Sequence, residues 1–266
     1  MKKTTLLIAV LMSVISLGSH ANDAGWKQLR EFVLLMNSQC PIPVGSTVNI
    51  TSMSLDSGDI LMELAPNQQL TSGFKQATLN ADDYRNVFTA LLPTSFDLMP
   101  DTRVMYKMFV DAGAGMKVVI KSGNGSGPSV TRLSNAELRK ALTYSPDYKK
   151  ATEIQARFTN MICPAKMGYA TTIGVKIKDN SFVTEIIVDE KQVNIDVLSQ
   201  NQAYSKQAII DALKAGTELP TIALFFQCAK AGYDVVYNYV GDMSGKTVSI
   251  VITPAEALSN INLPGK

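Results

Sequence analysis

The sequence predicts an α+β protein made of two tandem homologous copies. Each copy is expected to contain a helix, a hairpin, one or two helices, a second hairpin and a short helix, with an antiparallel sheet. The first observation is a repeat: residues 37–41, Asn-Ser-Gln-Cys-Pro, recur as residues 160–164, Asn-Met-Ile-Cys-Pro. The second is that apolar residues at helical spacing precede each segment, whereas period-two alternation follows it.

Residues 1–21 have the pattern of a cleaved secretory signal peptide. Lys2 and Lys3 precede an apolar run that ends at Leu17, and small residues at 19 and 21 suit a signal peptidase. The apolar run is shorter than the roughly 20 residues that span a bilayer. We therefore expect cleavage after Ala21 and an exported protein, periplasmic or secreted, with no transmembrane segment after cleavage.

An amphipathic helix is expected to open each copy. Leu29 and Phe32 belong to an apolar stripe in the first copy, and Ile154 belongs to its counterpart in the second. Pro41 and Pro164 stop the two helices, because proline lacks the backbone N–H that a helix interior needs.

The following segments predict a hairpin in each copy, with turn residues at 56–59 and 179–181 between period-two runs. Helices are expected next, and Pro100 and Pro220 suit the first turn of a helix. The hairpins imply that the strands pair in the antiparallel direction.

Each copy closes with a second hairpin and a short helix. Ser134 with Glu137, and Thr253 with Glu256, have the spacing of a capping box, in which a hydroxyl and a glutamate satisfy free backbone N–H groups. These elements place the first α+β repeat at 22–142, a linker at 143–150 and the second repeat at 151–266.

Composition excludes several classes of function. The only histidine, His20, lies in the predicted signal peptide, which excludes Ser-His-Asp and Cys-His catalysis and histidine metal sites in the mature chain. Loss of Lys2 and Lys3 leaves equal numbers of basic and acidic residues. The absence of a basic stripe argues against binding to nucleic acid. No cofactor, metal site or catalytic residue is expected.

Three cysteines, Cys40, Cys163 and Cys228, lie in a chain predicted to be exported, where disulfides persist. A Cys163–Cys228 bond within the second copy is the favoured pairing. A Cys40–Cys163 bond between equivalent positions, and three free thiols, are the alternatives.

Polar residues that recur between the copies are candidates for a site. Asn37 and Asn160 are interpreted as caps at helix ends rather than as ligand-facing amides. Glu63 and Glu185 recur on the second predicted strand. They could act together as an acid–base pair or hold calcium, but solvated strand positions explain them more simply.

The chain also resembles a loose class of small exported bacterial proteins of unassigned function. Those proteins have a Leu-Asn-x-x-Leu-Pro-like motif after the first helix and end in Val-Thr-Pro-x-Asp-Cys. Here the motifs correspond to residues 36–41 and 159–164 and to residues 251–257. Cysteine replaces leucine in the first motif, and Ala257 replaces the terminal cysteine, so no disulfide of that class is carried over. The resemblance implies an exported α+β module and no catalytic residue.

The leading hypothesis is an exported, non-enzymatic binding or interaction module with a protein partner or with self-association. The alternative is an envelope hydrolase, or a hydrolase inhibitor, that uses carboxylates or Ser and Lys in a groove between the repeats. A third, structural hypothesis is self-assembly through sheet edges, which long, uncovered edge strands would support.

Overall fold

The structure is a computed structural model that describes residues 23–44, 48–66, 81–121, 128–216 and 218–262. The described residues divide between two compact units, with unit 1 ending at Pro146 and unit 2 running from Asp147 to Asn262. The predicted signal peptide, residues 1–21, lies outside the described residues. The chain is an α+β protein with one five-stranded sheet in each unit.

Unit 1 contains four described helices and five strands. Its elements, in chain order, are α1 (Asp23–Ser38), β1 (Ile42–Val44), β2 (Val48–Asp56), β3 (Asp59–Pro66), α2 (Ala81–Leu98), α3 (Pro100–Asp111), β4 (Gly115–Ile120), β5 (Ser129–Leu133) and α4 (Asn135–Thr143).

Unit 2 repeats this order with one additional helix, α6. Its elements are α5 (Tyr148–Ile162), β6 (Ala165–Met167), β7 (Ala170–Lys178), β8 (Ser181–Val188), α6 (Ile195–Gln200), α7 (Gln202–Ala215), α8 (Leu219–Ala231), β9 (Asp234–Gly241), β10 (Thr247–Ile252) and α9 (Pro254–Asn260).

The two sheets have the same strand order and are mixed rather than antiparallel. Read from the short edge strand, the order is β1-β2-β3-β4-β5 in unit 1 and β6-β7-β8-β9-β10 in unit 2. β3 pairs with β4, and β8 with β9, in the parallel direction. The prediction of an antiparallel sheet was therefore wrong at the central pair. Helices separate the two hairpins, and such a long crossover allows the second hairpin to enter beside the first in the parallel direction.

A short edge strand in each unit was missed from the sequence. β1 and β6 follow the repeated Cys-Pro segments, whose Cys40–Pro41 and Cys163–Pro164 peptide bonds are both cis. Each strand has three residues and pairs only with the beginning of the next strand. Three residues are too few to show the alternation that identifies a strand in a sequence.

The helices of unit 1 share a single core on one face of the sheet. Leu29 of α1, Phe109 of α3 and Leu138 of α4 are buried in the same cluster as Ile60 and Met116 of the sheet. The rings of Phe32 and Phe109 lie 5.8 Å apart. Burial of each large apolar side chain contributes about 1.5–3 kcal/mol, so this cluster holds the helices to the sheet.

In unit 2, the corresponding side of the sheet is also covered by helices. Phe225 of α8 lies 6.3 Å from the ring of Tyr237 on β9. Ile195 of α6 packs with Val188 and Val248 in a smaller buried cluster. Both sheets therefore have one face under helices.

The two closing helices begin with reciprocal capping interactions. The Ser134 hydroxyl accepts a hydrogen bond from the Glu137 N–H, and Thr253 does the same for Glu256. Each glutamate also pairs with a helix that precedes it: Glu137 with Arg85 of α2 at 2.5 Å, and Glu256 with Lys206 of α7 at 2.6 Å. One carboxylate thus joins two helices in each unit.

These contacts favour the ionised form of Glu256. The Lys206 ammonium, with the Thr253 N–H and hydroxyl, lowers the pKa of Glu256 from 4.5 to about 2. Because the pKa is lower in the folded state, the resulting stability is present above about pH 4.5 and is lost as the pH falls towards 2.

We predict that Glu256→Gln lowers the free energy of unfolding at pH 7 by up to about 1 kcal/mol, because glutamine can keep the capping hydrogen bond but removes the ion pair with Lys206. The difference from the wild type should shrink as the pH falls below 4.5, because protonation of Glu256 removes the same interaction. Urea unfolding at several pH values measures this difference in the free energy of unfolding. Glu31→Gln, at an exposed position in α1, is the control. A difference that stays constant down to pH 2 would contradict the prediction.

Candidate functional site

The candidate site is the open face of the second sheet, by which we mean the side opposite the helices. Phe182, Val235 and Ile252 are buried on the helix side, and successive strand residues point to opposite sides. The residues that follow or precede them therefore lie on the open face. On the last three strands this face includes Val183, Glu185 and Ile187 of β8, Val236, Asn238 and Val240 of β9, and Ser249 and Val251 of β10. Lys176 of β7 lies on the same face, opposite Val183.

The strand register arranges the aliphatic residues of the open face in two rows. Val183 lies opposite Val236, and Val236 lies opposite Val251, which gives one row across three strands. Ile187 lies opposite Val240 in the second row. Four of the five side chains are half-buried, and Val251 is 36% exposed.

A polar row separates the two aliphatic rows. It contains Glu185, Asn238 and Ser249, which lie opposite one another on successive strands. The Ser249 hydroxyl donates a hydrogen bond to Asn238 Oδ1 at 2.9 Å, and Lys176 of β7 forms an ion pair with Glu185. Ser249 and Asn238 thus bond to each other, and Glu185 bonds to a lysine of the neighbouring strand.

The corresponding face of unit 1 carries ion pairs. Lys117 bonds to Asp56 at 2.9 Å, and Lys121 bonds to Glu63 at 2.7 Å. Arg132 bonds to Asp59, whose carboxylate also accepts a hydrogen bond from the Gly115 N–H at 3.1 Å. Surface pairs of this kind contribute only about 0–1 kcal/mol each, but they keep a sheet face hydrophilic.

The two registers show which residues occupy equivalent places. Lys117 and Arg132 lie opposite each other on the last two strands of unit 1, where unit 2 has Val236 and Val251. Lys121 directly follows β4 in unit 1. The equivalent residue of unit 2 is Val240, which lies within the longer strand β9. The polarity is reversed in the middle row, where unit 1 has Val119 and Val130 in place of Asn238 and Ser249. Equivalent faces of similar units therefore have different chemistry.

Sequence analysis missed the residues of this face. Val236 and Val251 belong to the predicted closing hairpin, but their sides of the strands could not be known without the register. A strand-by-strand alignment of the two copies would have shown valine in place of Lys117 and Arg132.

The recurring glutamates both lie on open faces and are engaged in ion pairs. Glu63 accepts hydrogen bonds from Lys121 and from the Ser52 hydroxyl, and these contacts lower the pKa of Glu63 below its usual value. Glu185 pairs with Lys176. A general acid needs a raised pKa, so the environment of Glu63 is unsuited to that role. Among the described residues, no three His, Cys, Asp or Glu side chains come together as a metal site.

Asn37 and Asn160 bind strands rather than cap helices. Asn160 lies within α5, where its Oδ1 accepts a hydrogen bond from the Val175 N–H at 2.6 Å and its Nδ2 donates to the Val175 carbonyl at 2.7 Å. Asn37 Oδ1 accepts from the Met53 N–H at 3.0 Å. The interpretation as left-handed helix caps was wrong, because the helix end is used to hold the neighbouring strand.

The structure contains three free thiols and none of the proposed disulfides. The thiol of Cys228 lies against the Thr152 hydroxyl near the start of α5, and burial raises the pKa of Cys228 to about 12. Cys163 directly follows the other end of α5. Eleven residues of helix separate Thr152 from Cys163 by about 16 Å. A disulfide needs Cα atoms within about 7 Å, so the favoured Cys163–Cys228 pairing is not formed.

No protein-family model matches the sequence, and no curated protein matches it either. One solved structure, of a Pseudomonas aeruginosa protein inferred to be secreted, is similar to part of the chain. The similarity covers 42% of this chain and 93% of that chain, with 12% identity and a TM-score of 0.34. A likeness at this level carries no conclusion about fold or function. In the described part of the chain, no helix is long and apolar enough to cross a membrane.

We predict that the denatured protein, purified without reductant, reacts with three equivalents of a thiol reagent, because all three cysteines are free. A count with Ellman's reagent in guanidinium chloride measures this. The protein reduced before denaturation provides the reference value. One reactive thiol in the unreduced sample would show that a disulfide forms.

Proposed function

We propose that the protein is an exported, non-enzymatic interaction module that binds a protein partner through the open face of the second sheet. The observation that carries the proposal is the change in chemistry between equivalent faces. Lys117 and Arg132 keep the face of unit 1 hydrophilic, whereas Val236 and Val251 occupy their places in unit 2. Contiguous aliphatic side chains at a surface are typical of interaction sites.

The shape of this face favours a macromolecule over a small molecule. Val183, Val236 and Val251 lie in a row across three adjacent strands, and they form part of a sheet surface rather than a concave pocket. Small ligands are held in clefts that enclose most of their surface, whereas protein interfaces have an apolar centre on a broad surface. The partner should therefore present an aliphatic patch, with a polar group that meets Asn238 or Ser249.

Export supports the same proposal. Residues 1–21 have the pattern of a secretory signal peptide. An exported chain meets other envelope or extracellular proteins, which makes a heterologous protein the occupant that we propose.

Pairing between sheet edges is a less suitable mode of association. At one edge of each sheet, the outer strand bonds to a helix. Thr131 of β5 donates a hydrogen bond to the Ala81 carbonyl of α2 at 2.9 Å. Gln202 of α7 donates a hydrogen bond to the Ser249 carbonyl of β10. At the opposite edges, β1 and β6 have three residues each. Short and covered edges are a common protection against strand pairing.

We predict that the double variant Val236→Lys with Val251→Lys loses its partner, because it places charges in the centre of the interface. The tagged protein is crosslinked in cells at its native level, and the copurified proteins are quantified by mass spectrometry. We expect the amount of copurified partner to fall at least about tenfold, since a buried unpaired charge costs more than about 1.4 kcal/mol of binding free energy.

The matched control is Val130→Lys, which makes the same change at a 40% exposed valine on the face of unit 1. Thermal unfolding establishes that the variants are folded. Equal recovery of the partner with the double variant would contradict the proposal, as would loss of the partner with Val130→Lys. Crosslinks only between copies of the chain would replace the proposed partner with a second copy.

A further inference from the structure

The asparagine that precedes each Cys-Pro segment has a role that the sequence did not suggest. We infer that Asn160 and Asn37 protect the edges of the two sheets. Each side-chain amide takes the place of a neighbouring strand, and this prevents the sheet edge from pairing with a second copy of the chain. The inference is independent of the partner surface proposed above.

The geometry at Asn160 is that of a strand partner. Its amide accepts from the Val175 N–H at 2.6 Å and donates to the Val175 carbonyl at 2.7 Å, so both backbone groups of one residue are satisfied by one side chain. These are the groups that β7 would offer to an added strand. The fit is close, because a side chain at Gly174 would approach Asn160 Oδ1 at 3.0 Å.

The amide lies where the short edge strand ends. β6 pairs with β7 only at residues 170–172, and the ladder between β7 and β8 shifts between Thr172 and Gly174. Gly174 and Val175 are the first two positions of regular pairing with β8 beyond this shift, and β6 does not extend to either of them. The Asn160 amide occupies the edge at Val175.

Unit 1 has the same arrangement at an equivalent place. β1 covers β2 as far as Ile50, the register shifts between Ile50 and Ser52, and Asn37 Oδ1 then accepts from the Met53 N–H at 3.0 Å. Both units thus place an asparagine amide at the same point of the sheet edge.

The β7 edge suits a second copy when the amide is removed. Two β7 strands that pair in the antiparallel direction about Val175 would place Ile173 opposite Ile177 of the second copy, and Lys176 opposite Gly174 of the second copy. This register places no like charges directly opposite each other and matches two aliphatic side chains. The pairing is isologous, as expected of a twofold dimer.

Asn160→Ala tests the inference in the full exported chain. We expect hydrogen exchange at the Val175 amide to accelerate at least about tenfold, because its hydrogen bond is lost. Sedimentation analysis should show a dimer whose fraction rises with protein concentration. Asn260→Ala is the matched control, since Asn260 also ends a helix of unit 2 but its amide bonds to the Glu256 carbonyl of the same helix. The control should behave as the wild type.

A second variant separates edge pairing from aggregation of a destabilised chain. Asn160→Ala with Ile173→Lys should return to the monomer, because Ile173 is 46% exposed and a lysine there faces Ile177 of the second copy. If Asn160→Ala does not fold, Asn160→Asp keeps the acceptor for the Val175 N–H and should show a smaller increase in exchange and weaker dimerisation. Unchanged exchange at Val175, no dimer at any concentration, or a dimer that Ile173→Lys does not disperse would each overturn the inference.

Discussion

The parallel pairing of two hairpins is the constraint on which each unit depends. β3 with β4, and β8 with β9, join the first hairpin to the second at the centre of the sheet. A parallel pair needs a long connection, and here helices supply it. These helices share one core with α1 in unit 1, so the buried side chains collect on one side of the sheet. The side chains of the opposite face take no part in this core.

The two units use the open face differently. In unit 1, acids and bases of the sheet form ion pairs with one another, as Arg132 of β5 does with Asp59 of β3 across the intervening strand β4. In unit 2, Val183, Val236 and Val251 form an aliphatic row beside a polar row in which Ser249 bonds to Asn238. A change confined to one face leaves the core unaffected, so units of the same architecture can carry surfaces of different chemistry.

The edges of the sheets show a second common principle. Side chains from helices complete backbone hydrogen bonds that no strand completes: Asn160 at Val175, Asn37 at Met53 and Gln202 at Ser249. Each side chain comes from an element that the core already holds in place. These backbone groups at the edge are thus bonded to side chains from helices rather than to a strand.

The sequence by itself determined the α+β class, the repeated order of elements and the residues of both capping boxes, because helix periods, turns and caps depend on near neighbours. Glu137 and Glu256, for example, contact Ser134 and Thr253 three residues away. Only the tertiary structure decided the parallel central pair, the contact of Asn160 with a strand and the separation of Cys163 from Cys228. It also decided the composition of the open face, because the side of a strand that carries Val236 and Val251 depends on pairing between distant segments. Such pairing has no local signal in the sequence.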